Sequence, residues 1–304
     1  MDTVLHVARE IFHRRLRNDH PRFFGFIPSP ASDFSWLGEV LNSAYNTHAG
    51  SWLQSSGPSA VEKSLVQWMA GDVVGFPESA GGLFVSGGSM ANLSALMVAR
   101  DQRLAFEDRP KAVVYMSEQT HSSVDKGLRI LGFHDSQTRK IPCDSRFRMD
   151  VSLLKPTIVA DRAAGKIPFL IVANCGTTNT GSVDLIDELS AITRSEGLWL
   201  HADGAYGASL LLCKPRRNLL RGAELCDSLS WDAHKWLFQT FGCGMVLGRD
   251  RRQLVEGFRV GGEYIVDAIE GGETFPNFWS YGPVLTRPAR AMKLWFSFQL
   301  LGLE

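Results

Sequence analysis

SLSWDAHKW, residues 228–236, joins a short apolar run to a lysine and decides how the rest of the chain is interpreted. Ser228–Trp231 has the composition of a buried strand, and Lys235 follows that strand closely. In an open α/β sheet, ligands bind in the crevice outside the carboxyl ends of the strands. We therefore expect Lys235 to face such a crevice, although a single lysine after a strand is more often an ordinary surface residue.

Strand-like and helix-like segments alternate on both sides of this stretch, from about Leu83 to Gly248. This alternation predicts an α/β fold, with a mostly parallel sheet and helices on both of its faces. The predicted strands are Leu83–Val85, Ala112–Met116, Phe169–Ala173, Leu198–Ala202, Ser228–Trp231 and Met245–Leu247, and the predicted helices are Ala60–Met69, Ser89–Leu104, Leu185–Ser195 and a run from Arg287 to Glu304.

The composition restricts the class of partner. The 304 residues include 32 Lys and Arg against 32 Asp and Glu, so no basic field is available for a nucleic acid or an anionic membrane. The five cysteines have no CxxC spacing, which disfavours a disulfide framework and a structural zinc site. The N-terminal residues show neither a signal peptide nor a membrane span. We expect a cytoplasmic enzyme that binds a small molecule, without metal, nucleic acid or membrane.

Two further polar side chains follow predicted strands. Asp203 ends the strand that contains residues 198–200, and a carboxylate there can pair with a protonated pyridine nitrogen. The small Ala205 leaves room for a flat ring beside it. His121 follows Ala112–Met116, and its imidazole could lie over the same ring. Each feature alone has a simpler interpretation, because an aspartate often caps a turn and a histidine is often structural.

Residues 86–92, SGGSMAN, join a predicted strand to a predicted helix. The backbone N–H groups of Gly88 and Ser89 at such a helix start, helped by the Ser89 hydroxyl, suit a phosphate dianion. The signal is weak by itself, since Ser-Gly turns also cap helices that bind no ligand. At one edge of one sheet, however, these motifs together indicate a phosphorylated ring held by a lysine.

In their order along the chain and in their amino-acid sequences, these motifs resemble the group II pyridoxal-phosphate (PLP)-dependent amino-acid decarboxylases. This family includes the aromatic-L-amino-acid, glutamate and cysteine-sulfinate decarboxylases. DAHKW, residues 232–236, is the most specific match, and the similarity extends from HPRFFGF, residues 20–26, to KLWF, residues 293–296. The resemblance implies PLP as cofactor, the large domain of the fold type I PLP-dependent transferases, and a homodimer with shared active sites.

The resemblance also implies roles for individual residues. Lys235 would hold the cofactor as a Schiff base, Asp203 would pair with its pyridine nitrogen, and His121 would stack on its ring. Ala205 would lie beneath that ring, while Gly88, Ser89 and His234 would contact the phosphate.

Four other residues are implicated by the same resemblance. Tyr264, in GFRVGGEY, residues 257–264, would be the proton donor on a mobile loop. Phe26 and Pro28 resemble substrate-pocket residues lent across a dimer interface. Asn174 occupies a position near the cofactor where aromatic-amino-acid decarboxylases usually have threonine.

The expected organisation has three parts. Residues 1–78 form an N-terminal arm and dimer-interface segment, residues 79–286 form the PLP-binding large domain, and residues 287–304 begin a helix that leads to a C-terminal small domain. That small domain is largely absent, so we expect a chain truncated at both ends.

The resulting functional expectation is decarboxylation of an L-amino acid, of the tyrosine, tryptophan or DOPA type, to its amine and carbon dioxide. Alternatives with the same cofactor are an aldehyde-forming oxidative decarboxylase and an aminotransferase. An inactive truncated paralogue is a further alternative. A metal hydrolase that uses His121, His201, Asp203 and His234 is disfavoured, because these residues lack the short helical spacing of zinc motifs.

Overall fold

The computed structural model describes residues 1–258 and 274–302 and contains a seven-stranded sheet of order β1-β7-β6-β5-β4-β2-β3. All neighbouring strands are parallel except β7, which is antiparallel to both β1 and β6. The predicted mostly parallel α/β sheet is therefore confirmed. The strands are β1 Gly81–Val85, β2 Ala112–Ser117, β3 Thr138–Ile141, β4 Ile167–Asn174, β5 Trp199–Asp203, β6 Ser228–Asp232 and β7 Gly244–Gly248.

The strand missing from the sequence-based prediction is β3, which lies at the edge of the sheet beside β2. Central strands such as β4 are buried on both faces, so they appear in the sequence as continuous apolar runs. The sequence of β3, TRKI, contains Arg139 and Lys140 and has only one buried residue. Charged edge strands prevent unwanted strand pairing, and for the same reason they lack the apolar signal of a strand.

Helices cover both faces of the sheet. One apolar layer contains residues of α3, α6, α7 and α9, and the opposite layer contains residues of α4, α5 and α8. Within residues 1–258 and 274–302, no helix is both long enough and apolar enough to cross a bilayer. The α-helices are α1 Asp2–His13, α2 Asp33–Tyr45, α3 Ser56–Trp68, α4 Gly88–Arg103, α5 Ser122–Ile130, α6 Val151–Ala163, α7 Ile186–Glu196, α8 Arg251–Phe258 and α9 Ala291–Leu301.

The N-terminal 78 residues are more helical than the sequence suggested. Besides α3, which matches the predicted Ala60–Met69 helix, they contain α1 and α2. Helix α2 begins at the cap Ser32, whose hydroxyl accepts a hydrogen bond from the Ser35 backbone N–H at 3.2 Å. It packs closely on α9, because a Cβ at Gly38 would lie 2.8 Å from the Cα of Lys293.

Helix α9 starts at Ala291 and not at the predicted Arg287, since Pro288 directly follows Arg287 and disfavours a helical conformation there. Arg287 forms a buried ion pair instead. The Arg287 guanidinium donates to both carboxylate oxygens of Glu62, at 3.0 and 2.7 Å, and to the backbone oxygens of Ala49 and Phe84. Both charged side chains are almost fully buried. Arg287 therefore ties α3 and β1 together before the chain enters α9.

Candidate active site

Six strands bring their carboxyl ends to one edge of the sheet, because all strands except β7 run in the same direction. A cavity of about 740 Å³ opens at this edge. It collects the predicted site residues that the structure describes, whereas Tyr264 lies outside the described residues. The predicted residues that line it are Phe26, Pro28, Gly88, Ser89, His121, Asn174, Asp203, Ala205, His234 and Lys235.

Asp203 is the last residue of β5, and its carboxylate is held by three donors. Asn92 Nδ2 donates to Oδ2 at 3.0 Å, while the Ser230 hydroxyl and the Ala205 backbone N–H each donate to Oδ1 at 3.2 Å. The residue is only 7% exposed. A buried carboxylate fixed in this way presents a negative charge of defined orientation to the cavity.

Lys235 lies just beyond β6, with its Nζ 3.4 Å from Asp232 Oδ2. The hydroxyl of Ser29 donates to the backbone oxygen of Lys235, so the N-terminal segment holds this turn in place. Burial raises the pKa of Asp232, whose Oδ1 has no hydrogen-bond partner among the described residues. The lysine thus lines the cavity beside the carboxyl group of Asp232.

The start of α4 forms a cradle for an anion. Gly87 has a φ of +152°, which an L side chain rarely adopts, and a Cβ at Gly88 would lie 2.7 Å from Asp232 Oδ2. The backbone must therefore approach closely here, and only glycine permits it. Burial lowers the pKa of His234, whose Cε1 would lie 3.1 Å from a Cβ at Gly87.

His121 and Asn174 are placed by the ends of β2 and β4. The Nδ1 of His121 accepts the backbone N–H of Ser123 at 3.2 Å and caps α5. The side-chain amide of Asn174 donates to Asp184 Oδ2 at 2.9 Å and to the Ser117 hydroxyl at 3.0 Å. Both residues line the cavity, and Asn174 is rigidly oriented although it replaces the expected threonine.

Phe26 and Pro28 line the cavity of the chain that carries them. Their contribution to a pocket across a dimer interface stays a prediction. Phe26 is 81% exposed, so it forms part of the rim and leaves most of its ring uncovered.

The sequence-based prediction assigned no role to Asn92, Ser123, Ser230 or Asp232. Asn92 lies among the buried, mostly small or apolar residues of α4, and one polar side chain on a buried helical face is a usable signal. Ser230 alternates with apolar residues on β6, where it looks like an ordinary strand residue. Asp232 stands in the DAHKW stretch, but its orientation toward the cradle could not be inferred from spacing.

In the described part of the chain, no three His, Cys, Asp or Glu side chains converge as metal ligands would. The arrangement offers instead an anion cradle, an amine, a fixed carboxylate and an imidazole around one cavity. These groups together suit a phosphorylated, nitrogen-containing aromatic ring.

Comparison with known proteins agrees with this geometry. The profile described as "Pyridoxal-dependent decarboxylase conserved domain" matches residues 1–304. An aromatic-L-amino-acid decarboxylase of Bacillus atrophaeus is 43% identical over 300 residues, which are 98% of this chain and 62% of that protein.

Two solved structures are similar over nearly the whole chain. Oryza sativa TDC with PLP and tryptamine has a TM-score of 0.94 and 27% identity, covering 99% of this chain and 65% of its own. The 4-hydroxyphenylacetaldehyde synthase of Rhodiola rosea has a TM-score of 0.90 and 29% identity, covering 100% and 64%. This chain therefore spans slightly less than two thirds of the length of these relatives.

Proposed function

The chain belongs to the pyridoxal-dependent decarboxylase family, and on that premise we propose that it decarboxylates an aromatic L-amino acid to the corresponding amine, with PLP as cofactor. The observation that carries this proposal is the convergence of Lys235, Asp203 and the start of α4 on one cavity. An amine, a carboxylate and an anion cradle are the three groups that PLP requires.

The described residues fit the cofactor. At Gly87 and Gly88 a Cβ would meet the side chains of His234 and Asp232, so glycine keeps the backbone of the cradle accessible, and the small Ala205 lines the cavity beside it. Asp203 offers a fixed carboxylate to a ring nitrogen, and His121 provides an imidazole on the cavity wall. Lys235 is the lysine among the cavity-lining residues and would hold the cofactor covalently.

When bound, PLP supplies an electron sink that accepts the electron pair left at the substrate α-carbon as the carboxylate departs. The contribution of Asp203 is to keep a proton on the ring nitrogen through its fixed carboxylate. With PLP bound, His121 and Asn174 would orient the cofactor and the substrate, and Lys235 would hold the cofactor covalently. Tyr264, outside the described residues, is proposed as the donor of the proton to the α-carbon.

An aromatic substrate is favoured by the walls of the cavity. Phe24, Phe26, Ile27 and Pro28 form an apolar side that suits an aromatic ring. Among the described lining residues none is an arginine, so a second carboxylate on the substrate would find no guanidinium partner. This composition supports an aromatic amino acid over glutamate or cysteine sulfinate.

We further propose that residues 1–78 contribute a dimer interface, that residues 79–286 hold the cofactor, and that the protein is a cytoplasmic homodimer with shared active sites. The cavity rim supports this, because Phe24 and Phe26 are 92% and 81% exposed there. All five cysteines are free, as in a reducing compartment.

A second candidate function is aldehyde formation, since relatives include a phenylacetaldehyde synthase of Arabidopsis thaliana that is 31% identical to this chain. Incubation with L-tyrosine, L-tryptophan, L-DOPA, L-phenylalanine and L-glutamate, followed by mass spectrometry of the products, tests both proposals. We expect amine from at least one aromatic substrate and none from glutamate, with Lys235→Ala as the inactive control. Aldehyde as the main product would favour the second candidate, and no product from any aromatic substrate would contradict both.

A further inference from the structure

Behind the cavity, buried polar residues form a continuous hydrogen-bonded chain. The indole N–H of Trp199 donates to the Ser228 hydroxyl at 2.9 Å, and this hydroxyl lies 2.9 Å from His201 Nδ1. The other ring nitrogen of His201 lies 3.0 Å from the amide oxygen of Asn92. All four side chains are at most 3% exposed, so water does not compete for these contacts.

Asn92 extends this chain to two residues of the candidate active site. Its amide nitrogen donates to Asp203 Oδ2 at 3.0 Å and to the Ser123 hydroxyl at 2.9 Å. The Ser123 hydroxyl in turn lies 2.8 Å from Nδ1 of His121. One amide group therefore bonds directly to the proposed ring-nitrogen carboxylate and reaches the proposed stacking imidazole through Ser123.

The carboxylate of Asp203 fixes the protons in this hydrogen-bonded network, because it only accepts. The Asn92 amide nitrogen therefore faces Asp203, and its oxygen faces His201. The neutral His201 ring then donates from Nε2 and accepts at Nδ1 from the Ser228 hydroxyl, which accepts from the Trp199 indole N–H. Burial lowers the pKa of His201 to about 4, so the ring is neutral near pH 7.

The same logic holds at the other end. The backbone N–H of Ser123 donates to Nδ1 of His121, so that nitrogen is an acceptor and His121 carries its proton on Nε2. The Ser123 hydroxyl lies 2.8 Å from the same Nδ1 and accepts from the Asn92 amide nitrogen. The two ends require the same orientation of the Asn92 amide, with its oxygen toward His201 and its nitrogen toward Asp203.

We propose that Asn92 is a positioning residue that orients Asp203 and His121 together toward the cofactor ring, and that His201 and Ser228 fix the orientation of its amide. Asn92 is one helical turn after Gly88 on α4, so a single helix carries both the anion cradle and the support for the ring site. This inference rests on the proposed function, because the roles of Asp203 and His121 depend on PLP.

Two substitutions of Asn92 and one matched control test this role. Asn92→Leu removes the donors and the acceptor, whereas Asn92→Asp keeps the shape and the acceptor for His201 but loses both N–H donors. Ser94→Ala is the control, since Ser94 is equally buried on α4 and its hydroxyl donates to the Met90 backbone oxygen of the same helix.

The first measurement is the affinity for PLP, from the quenching of protein fluorescence, with the absorption spectrum of the bound cofactor. Loss of a hydrogen bond to a buried charged group should weaken binding about tenfold or more in both Asn92 variants. The relative heights of the PLP absorption bands should also change, because they depend on the ring proton that Asp203 holds. Ser94→Ala should match the parent. Parent-like affinity and spectrum in Asn92→Leu and Asn92→Asp would overturn the proposal.

A second measurement needs no cofactor. The protein is labelled with ¹⁵N-histidine and studied by NMR near neutral pH. We expect the ring proton of both His121 and His201 to lie on Nε2. The signals are assigned with the variants His121→Gln and His201→Gln. A proton on Nδ1 of His201 in the parent would overturn the proposed chain of donors. If the parent binds no PLP, the proposed function fails, and the tautomers still decide whether the hydrogen-bonded chain exists.

Discussion

At the residue scale, a substitution of Asp203 tests whether its carboxylate helps the cofactor ring to withdraw electrons or only stabilises the local fold. In Asp203→Asn, the amide keeps nearly the same shape but cannot hold a proton on the ring nitrogen by charge. We expect cofactor to stay bound while turnover falls by about 10²–10³, the usual effect of losing a major electrostatic contribution. Steady-state rates and the absorbance of bound PLP give both quantities. Turnover within about tenfold of the parent would make Asp203 a turn cap.

His201 makes a separate prediction about stability and pH. Burial lowers its pKa from 6.5 to about 4 in the folded chain. The unfolded chain takes up a proton near 6.5, and the folded chain does so only near 4. The contribution of His201 to the free energy of unfolding is therefore fully present above pH 6.5. It is lost as the pH falls from 6.5 toward 4, by about 3 kcal/mol in total.

Urea unfolding at several pH values measures this loss, with His201→Gln as the comparison. Glutamine cannot be protonated, so the variant should lose less stability than the parent between pH 6.5 and 4. Parallel pH profiles for the two proteins would show that His201 does not titrate with a lowered pKa.

The chemistry of individual residues was predictable from the sequence wherever a polar residue followed an apolar run, as Asp203 and Lys235 do. Their neighbours were not, because hydrogen-bond partners come from distant parts of the chain. Asn92 and Asp203 are 111 positions apart, yet their side chains bond directly. No spacing rule connects α4 to the end of β5.

At the scale of elements, the Glu62–Arg287 pair holds together α3, β1 and the segment before α9. Removing one partner of a buried pair leaves the other charge unpaired, so Arg287→Met should cost about 3–5 kcal/mol of stability. Arg129→Met is the control, since Arg129 and Asp135 form an exposed pair with 67% and 74% exposure. Urea denaturation compares the two, and similar losses in both variants would show that the buried pair has no special role.

The elements that sequence patterns identified are the buried ones. Strand β4 is a nearly continuous apolar run, β5 and β6 are fully buried, and α4 and α7 each bury an apolar face. Helix α1 was missed because none of its residues is buried in this chain, and β3 because it is a charged edge. Neither α1 nor β3 has the buried apolar face from which a sequence pattern identifies a helix or a strand.

At the scale of the whole molecule, α1 presents an apolar surface that the rest of residues 1–258 and 274–302 leaves exposed. Leu5, Ile11 and Phe12 are 50%, 64% and 66% exposed. If residues 1–78 form a dimer interface, Ile11→Asp with Phe12→Asp should shift the protein toward monomer, since charged groups are costly in an apolar interface. Sedimentation velocity measures the shift, with Arg9→Glu as a charge-changing control on the same helix. A parent that is monomeric at all concentrations would contradict the proposed homodimer.

The covalent attachment of PLP to Lys235 is the central claim for the whole molecule, because the sheet edge, the cradle and the carboxylate all serve it. The most direct test is borohydride reduction of the PLP-loaded protein, followed by peptide mass spectrometry. We predict a reduced PLP adduct on the peptide that contains Lys235 and none in Lys235→Ala. A reduced adduct on another lysine, retained in Lys235→Ala, would contradict the account.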